Sequence, residues 1–164
     1  MASTINADNG VSSGSAGLKE SADSSGVLAL QTNGTTAVSI DTSQNLSFNS
    51  GYGSVAIAYG CRAWVNFNGT GTIAIRASGN VTSLTDNGIG DYTVNLTTAM
   101  PDINYAVNTT CSSNGTNNFI ITTVFTNATT GANVAPTTSA ARINTGVYAV
   151  GTFDPTYVNV SIFR

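Results

Sequence analysis

The stretch Tyr157-Val-Asn-Val-Ser-Ile-Phe163 alternates apolar and polar side chains, and so does Tyr92-Thr-Val-Asn-Leu96. Because successive side chains of a β-strand point to opposite faces of the sheet, this pattern predicts strands with one buried and one solvated face. Turn sequences follow at short intervals, among them Asn68-Gly-Thr-Gly71 and Asp86-Asn-Gly88. Many short strands at this spacing predict an antiparallel β-sandwich or a short barrel.

Residues 51–164 form the predicted β-sandwich head. Its strands are expected at residues 62–67, 72–77, 81–85, 92–96, 104–110, 119–125, 140–151 and 157–163.

The pattern of residues 26–50 predicts a short β-stalk. Asn33-Gly34 separates two short apolar runs at 27–31 and 35–41, and both turn residues tolerate positive φ, so a hairpin is expected there. Leu46-Ser-Phe48 is a third short strand. Three short strands with so few apolar residues are not stable alone, whereas the same stretch intertwined with copies of itself would be.

The polar composition favours the same all-β class. Only 8% of the residues are charged, against roughly 25% in an average soluble protein. The polar surface is made instead of Thr, Ser, Asn and Gly, which disfavour helix interiors. Scarce lysine also leaves strand edges without one of their usual protections against pairing with other chains, which points to obligate assembly.

Residues 1–25 are composed mainly of Ser, Ala, Gly and Asp, with few apolar anchors. Such a segment buries too little area to offset its own ordering entropy. We therefore expect a flexible arm that becomes ordered on a partner surface and docks the chain there.

Charge and hydropathy exclude several functions. The net charge is −3, and the basic residues are scattered along the chain at Lys19, Arg62, Arg76, Arg142 and Arg164. Phosphate binding needs clustered cations, so nucleic acid is not the expected partner. We expect no membrane insertion and no secretion signal, hence synthesis in a cytoplasm. A reducing compartment favours free, buried thiols at Cys61 and Cys111 over a disulfide.

The residues that carry most enzyme chemistry are missing. The chain has no histidine, and its two cysteines do not have zinc-site spacing. The carboxylates Asp86, Asp91 and Asp102 are the remaining candidates, because glycan-cleaving enzymes use such pairs. Turn-forming Asp residues, which bond their own local backbone, account for all three without catalysis. We expect that the chain is not an enzyme and that it binds no metal and no cofactor.

Aromatic residues are the other candidate contacts. Tyr52, Tyr59 and Trp64 cluster within one stretch, and sugar-binding surfaces use exposed Trp and Tyr beside Asn and Asp. The alternative is that strand-borne aromatics fill the core, which fits their alternation. Tyr52 and Tyr59 lie in a Gly-rich connector and are the least explained by core packing. They are expected to contact a ligand or another subunit.

Two stretches resemble phage proteins. The segment Gly26-Val-Leu-Ala-Leu-Gln-Thr-Asn-Gly-Thr-Thr-Ala-Val-Ser-Ile-Asp41 is similar to one near the start of many phage fibre-like proteins. Arg62-Ala-Trp-Val-Asn-Phe-Asn-Gly-Thr-Gly71, Asp86-Asn-Gly-Ile-Gly-Asp-Tyr-Thr-Val-Asn95 and Tyr157-Val-Asn-Val-Ser-Ile-Phe-Arg164 resemble a C-terminal module of phage virion proteins of the marine and cyanobacterial type. The resemblance covers about the last two thirds of the chain and the hairpin region.

The resemblance implies a virion surface protein, a homotrimer with a β-sandwich head. The chain lacks the long repetitive shaft of a tail fibre, so it would be a short fibre-like appendage, with adhesion to host-cell glycans. Residues 1–25 would dock to other virion proteins. One alternative is a capsid decoration protein that stabilises the head of the virion. A more distant one is a soluble carbohydrate-binding module outside any virion.

Overall fold

The computed structural model describes residues 25–113, 120–147 and 151–164. The chain divides into two compact units, Met1–Ala58 and Tyr59–Arg164. In the described residues every regular element is a β-strand, and every strand pairing is antiparallel. The prediction of an all-β fold is confirmed. The predicted docking arm, residues 1–25, lies outside the described residues except for Ser25.

The N-terminal unit is a four-stranded meander. Its strands, in both chain and sheet order, are β1 (Leu28–Thr32), β2 (Thr35–Ile40), β3 (Leu46–Phe48) and β4 (Ala56–Ile57). Asn33 and Gly34 have φ of 51° and 74°, which confirms the predicted hairpin turn between β1 and β2. Strand β4 pairs with β3, so this sheet continues past Ser50, the predicted end of the stalk.

The described part of the C-terminal unit contains nine strands in two sheets. They are β5 (Cys61–Asn68), β6 (Ala74–Gly79), β7 (Val81–Gly88), β8 (Asp91–Leu96), β9 (Ala106–Cys111), β10 (Ile120–Val124), β11 (Ala140–Val147), β12 (Gly151–Thr152) and β13 (Val158–Phe163). The front sheet has the order β6-β5-β13-β9. The back sheet has the order β10-β11-β8-β7, with β12 paired to β11.

One core lies between the front and back sheets. Val65 and Phe67 of β5 and Ile162 of β13 point into it from the front sheet, and Tyr92 and Ile143 point into it from the back sheet. The rings of Phe67 and Tyr92 meet edge to face, with centroids 5.1 Å apart. Full burial of each such apolar side chain stabilises the fold by roughly 1.5–3 kcal/mol.

The predicted head strands match the observed ones closely. Each begins within two residues of its expected start, as for 62–67 and the observed Cys61–Asn68, but β7 runs three residues past its expected end at Thr85. The expected strand 140–151 is interrupted: β11 ends at Val147, residues 148–150 lie outside the described residues, and β12 begins at Gly151. Residue 119 of the expected strand 119–125 also lies outside them.

A buried polar junction joins the end of the back sheet to the segment that precedes β13. The Tyr92 hydroxyl and the Gly90 N–H both donate to Oδ1 of Asp154, each at 2.7 Å. Burial raises the pKa of Tyr92, and the Asp154 carboxylate raises it further, so the phenol stays protonated. Gly90 has φ of +66°, and a Cβ there would stand 2.4 Å from the Thr145 carbonyl oxygen, so a side chain is excluded.

Candidate functional site

The N-terminal sheet is amphipathic. Its register places Leu28, Ile40 and Leu46 side by side across β1, β2 and β3. A second row, Leu30, Val38, Phe48 and Ala56, crosses all four strands two residues further along. Residues two apart in a strand share a face, so the seven side chains form one apolar face, which we call the stalk face. The opposite face carries Ser39 and Ser47 in the middle of a row that ends in Ala29 and Ile57, so it is the less apolar of the two.

Within the described residues 25–58, no second layer covers the stalk face. None of the residues 25–58 is buried, and Leu28 is 55% and Phe48 is 44% exposed. A sheet is stable when its apolar face packs against another layer. Contiguous apolar patches of this kind on soluble proteins mark interaction sites. The described residues of the N-terminal unit therefore enclose no core of their own.

The front sheet of the C-terminal unit presents a different surface to solvent. Its strand register aligns Gly79, Trp64, Ser161 and Asn108 in one row, and Ala77, Asn66, Asn159 and Thr110 in the next. Inward-pointing Ala63 and Val65 alternate with Trp64 and Asn66 along β5, so the rows face outward. We call this surface the front face.

Trp64 and the amides beside it form a shallow depression of about 280 Å³. A Cβ on Gly79 would stand 2.5 Å from Nε1 of Trp64, so the indole lies against the backbone of β6 at a position only glycine allows. Trp64 remains 45% exposed. Asn66 Nδ2 donates to Oδ1 of Asn159 at 2.7 Å, which holds both amides in place across the strands.

Tyr157 and Arg76 extend the front face beyond the amides. The guanidinium carbon of Arg76 lies 4.2 Å from the ring centroid of Tyr157, a cation–π contact. Of the described arginines, Arg142 and Arg164 are in ion pairs, whereas neither Arg62 nor Arg76 has an acidic partner among the described residues. The cation on this face is therefore held in position and is open to an anionic ligand.

The aromatic residues singled out from the sequence have different environments. Tyr52 belongs to the N-terminal unit and is 91% exposed, and Tyr59 begins the C-terminal unit and is 71% exposed. The core interpretation of strand-borne aromatics is correct for Phe67 and Tyr92 but wrong for Trp64. The residues that share the front face with Trp64, among them Asn66, Asn159 and Tyr157, were not predicted. Strand alternation could have placed Trp64 outside, but the register between distant strands is not readable from sequence.

The three candidate carboxylates have different hydrogen-bond partners. Oδ1 of Asp86 accepts the Gly88 N–H at 2.9 Å, and Oδ1 of Asp102 accepts the Asn104 N–H at 2.7 Å, which confirms the turn interpretation for these two. For Asp91 that interpretation is wrong. Among the described residues no cluster of His, Cys, Asp or Glu could hold a metal ion.

Asp91 is a buried structural carboxylate. It is 2% exposed and accepts two hydrogen bonds from Arg142, Nε to Oδ1 and a terminal amine to Oδ2, both at 2.7 Å. Oδ2 also accepts the Ala128 N–H at 2.9 Å, which fastens the loop after β10 to the back sheet. Burial alone would raise the pKa of Asp91, but the hydrogen bonds and charge of Arg142 hold it below its usual value.

A second depression, of about 540 Å³, lies on the outer side of the back sheet. Asn144 lines it, and its Nδ2 is buried without a hydrogen-bond partner in the described structure. Glycines and small side chains form most of the remaining wall, among them Gly131, Gly146 and Gly151. No aromatic or charged side chain lines this depression in the described part of the chain, so it offers less for recognition than the front face.

Cys61 and Cys111 have free thiols. Their register partners on β13 are Phe163 and Val158, the last and first residues of that strand. The two cysteines are thus about 16 Å apart along the sheet, far beyond the reach of a disulfide. The free state of both thiols is as predicted, but neither is buried as expected: Cys61 is exposed and Cys111 is half-buried.

Comparisons of the chain with protein-family models, curated proteins and solved structures return no match. In the described ranges there is no helix that is both long and apolar enough to span a membrane.

Proposed function

We propose that this chain is a homotrimeric structural protein of a bacteriophage particle, displayed on the virion surface as a short fibre-like appendage. In this proposal residues 1–25 dock to other virion proteins. The N-terminal sheets of three copies form the stalk, and the C-terminal sandwich is the exposed head, which adheres to host-cell glycans. Synthesis takes place in the cytoplasm of the host bacterium.

The uncovered stalk face is the observation that carries this proposal. Seven apolar side chains on one side of a sheet without any buried residue require a second layer. Asp41 is the one charged residue in residues 25–58, so copies carry only one like charge each in this unit and meet little charge repulsion. Identical faces that pack around an axis form a closed, symmetric assembly. The number three comes from the resemblance to phage fibre-like proteins.

The head needs no such help to fold, because its two sheets already enclose a core. Its front face is free for contact with an external ligand, which favours the appendage over decoration of the capsid. The small size of the chain is the feature that favours decoration, since a cement protein only has to bridge capsomers. A soluble carbohydrate-binding module would also use the front face, but it would not need the stalk face.

Purified particles of the phage that encodes the chain decide between these roles. We expect mass spectrometry to detect the chain in the particle, and electron microscopy to show trimers in few copies on the tail or on spikes. A lattice of trimers over the capsid would instead establish decoration. Absence of the chain from the particles, combined with a monomeric state in solution, would overturn the proposal and favour the soluble module.

A further inference from the structure

We propose that the front face binds an acidic oligosaccharide, with one sugar ring packed on Trp64, its hydroxyls bonded to Asn66 and Asn159, and a carboxylate of a neighbouring ring paired with Arg76. The biological role of this site, attachment to a glycan of the host surface, rests on the proposed function. The binding chemistry itself rests on the geometry of the face.

The part of the face around Trp64 has the chemistry of a sugar site. One side of a pyranose ring is a patch of C–H groups, which packs against an indole that is fixed in place and open to solvent. Because Gly79 has no side chain, the indole can pack against the backbone of β6, and Trp64 keeps 45% of its surface exposed. The adjoining Asn66, Asn159 and Ser161 supply neutral donors and acceptors that match sugar hydroxyls.

The charge of the ligand is inferred from Arg76. Arginine presents a planar fork that fits a carboxylate, and the stack on Tyr157 orients that fork on the front face. The chain carries a net charge of −3, so its overall field disfavours acidic ligands. Arg62 and Arg76 are the described cations without an ion pair. Arg62 lies in β5, the strand of Trp64, and Arg76 lies in β6, the strand whose Gly79 the indole contacts.

The spacing of the two aromatic residues favours an oligosaccharide over a single sugar. Tyr157 directly precedes Val158, which pairs with Phe67, so it lies level with Asn68 on β5. Trp64 and Asn68 are four residues apart in the same strand, about 13 Å at the usual rise. The Asn66–Asn159 amide pair lies between them. A chain of linked rings can contact all three positions at once.

Trp64 is the only tryptophan in the protein, so its fluorescence reports on this site alone. We would titrate the full chain with trigalacturonic acid and, as the neutral probe of equal length, with maltotriose. We expect the emission to change with trigalacturonic acid at millimolar concentration or below, and much less with maltotriose. Higher ionic strength should weaken the acidic response, because a carboxylate–arginine contact is screened by salt.

Variants separate the site from the fold. Arg76→Gln should weaken trigalacturonic acid binding at least tenfold, whereas Ile89→Ala, which removes an exposed apolar side chain from the turn between β7 and β8, should leave it unchanged. Gly79→Ala should also weaken binding, since the added Cβ displaces the indole. Calorimetry on Trp64→Ala, with its melting curve recorded alongside, provides the test that does not depend on fluorescence.

The outcomes distinguish this inference from the proposed function. A trimeric chain that responds to neither sugar, or binds both equally, overturns the acidic-oligosaccharide site and leaves the virion role standing. A monomer that binds trigalacturonic acid through Trp64 and Arg76 supports the site and overturns the trimeric appendage. Unchanged binding by Arg76→Gln in a folded protein also overturns the site.

Discussion

Asp91 and Arg142 connect three separate parts of the back sheet through one carboxylate. The pair is bidentate, and the Arg142 side chain is 19% and the Asp91 side chain 2% exposed. A buried ion pair contributes little net stability compared with a well-packed apolar pair. Removal of only one partner, however, leaves the other charge uncompensated.

We therefore expect Asp91→Asn to destabilise the head by roughly 3 kcal/mol, at the lower end for a broken buried pair because Arg142 retains some contact with water. Chemical denaturation at neutral pH measures the loss. Asp102→Asn is the matched control, since its pair with Arg164 is 37% exposed on both sides. An exposed pair contributes at most about 1 kcal/mol, so an equal loss in both variants would contradict the structural role of Asp91.

The same pair predicts acid sensitivity. The pKa of Asp91 is lower in the folded protein than its ordinary value, so the stability it contributes is present above about pH 4, the usual Asp range. That stability is lost as the pH falls through the folded pKa, because protons then bind the unfolded chain in preference. The free energy of unfolding, measured from pH 7 to pH 2, should fall more steeply for the native chain than for Asp91→Asn. Parallel curves would refute this explanation.

Trp64 gives the second prediction at the level of single residues. Truncation of a buried aromatic residue costs roughly 3–5 kcal/mol, but Trp64 lies on the outer side of β5. We expect Trp64→Ala to destabilise the head by about 1 kcal/mol, while Phe67→Ala, three residues further along β5 on its buried side, reaches the full range. Thermal melting of both variants provides the comparison. Equal losses would place Trp64 in the core.

Sequence alone could predict the role of some residues and not of others. Asp86 and Asp102 act on backbone one or two residues away, so their turn chemistry is local and was predicted correctly. Asp91 has the same residue type and a similar Gly-rich neighbourhood, but its partners Ala128 and Arg142 are distant in sequence. Only the pairing of β8 with β11 brings them together, and that pairing is a tertiary event.

For secondary structure, too, features set by neighbouring residues could be predicted from the sequence, whereas features set by distant strand pairing could not. The hairpin at Asn33-Gly34 and the alternating strands β8 and β13 follow from residue type and periodicity, and all were predicted. The two-residue strands β4 and β12 are too short to show any period and were missed. The composition of the front face also could not be predicted, because it depends on which strands are neighbours.

The stalk face yields the prediction at the level of whole elements. We expect the double substitution Leu30→Thr and Phe48→Thr to abolish trimer formation, since both side chains belong to the second row of the stalk face, and Thr keeps the strand propensity while it removes apolar area. Ser39→Thr with Ser47→Thr, on the opposite face, is the matched control and should leave the trimer intact. Analytical ultracentrifugation measures both. Trimers that survive the first pair would show that the stalk face is not the interface.

The whole molecule joins a unit with a closed core to a unit without one. The core residues of the front and back sheets are all within Tyr59–Arg164, whereas residues 25–58 bury no side chain. Stability of the first kind belongs to a single chain. If three copies pack their stalk faces together as proposed, stability of the second kind depends on protein concentration, because association supplies the missing layer. The two units should therefore unfold with different concentration dependence.

Truncation tests this division of roles directly. Removal of residues 1–25 should leave a folded trimer that no longer attaches to the particle. Removal of residues 1–58 should leave a folded monomeric head, whose single melting transition does not move with protein concentration. If the head alone still trimerises, the interface lies on the sandwich and the stalk argument fails. If the head alone does not fold, the core between its two sheets depends on the N-terminal unit.

In a surface assay the trimer should bind glycan roughly 10²-fold more tightly than the isolated head, because its three front faces act together.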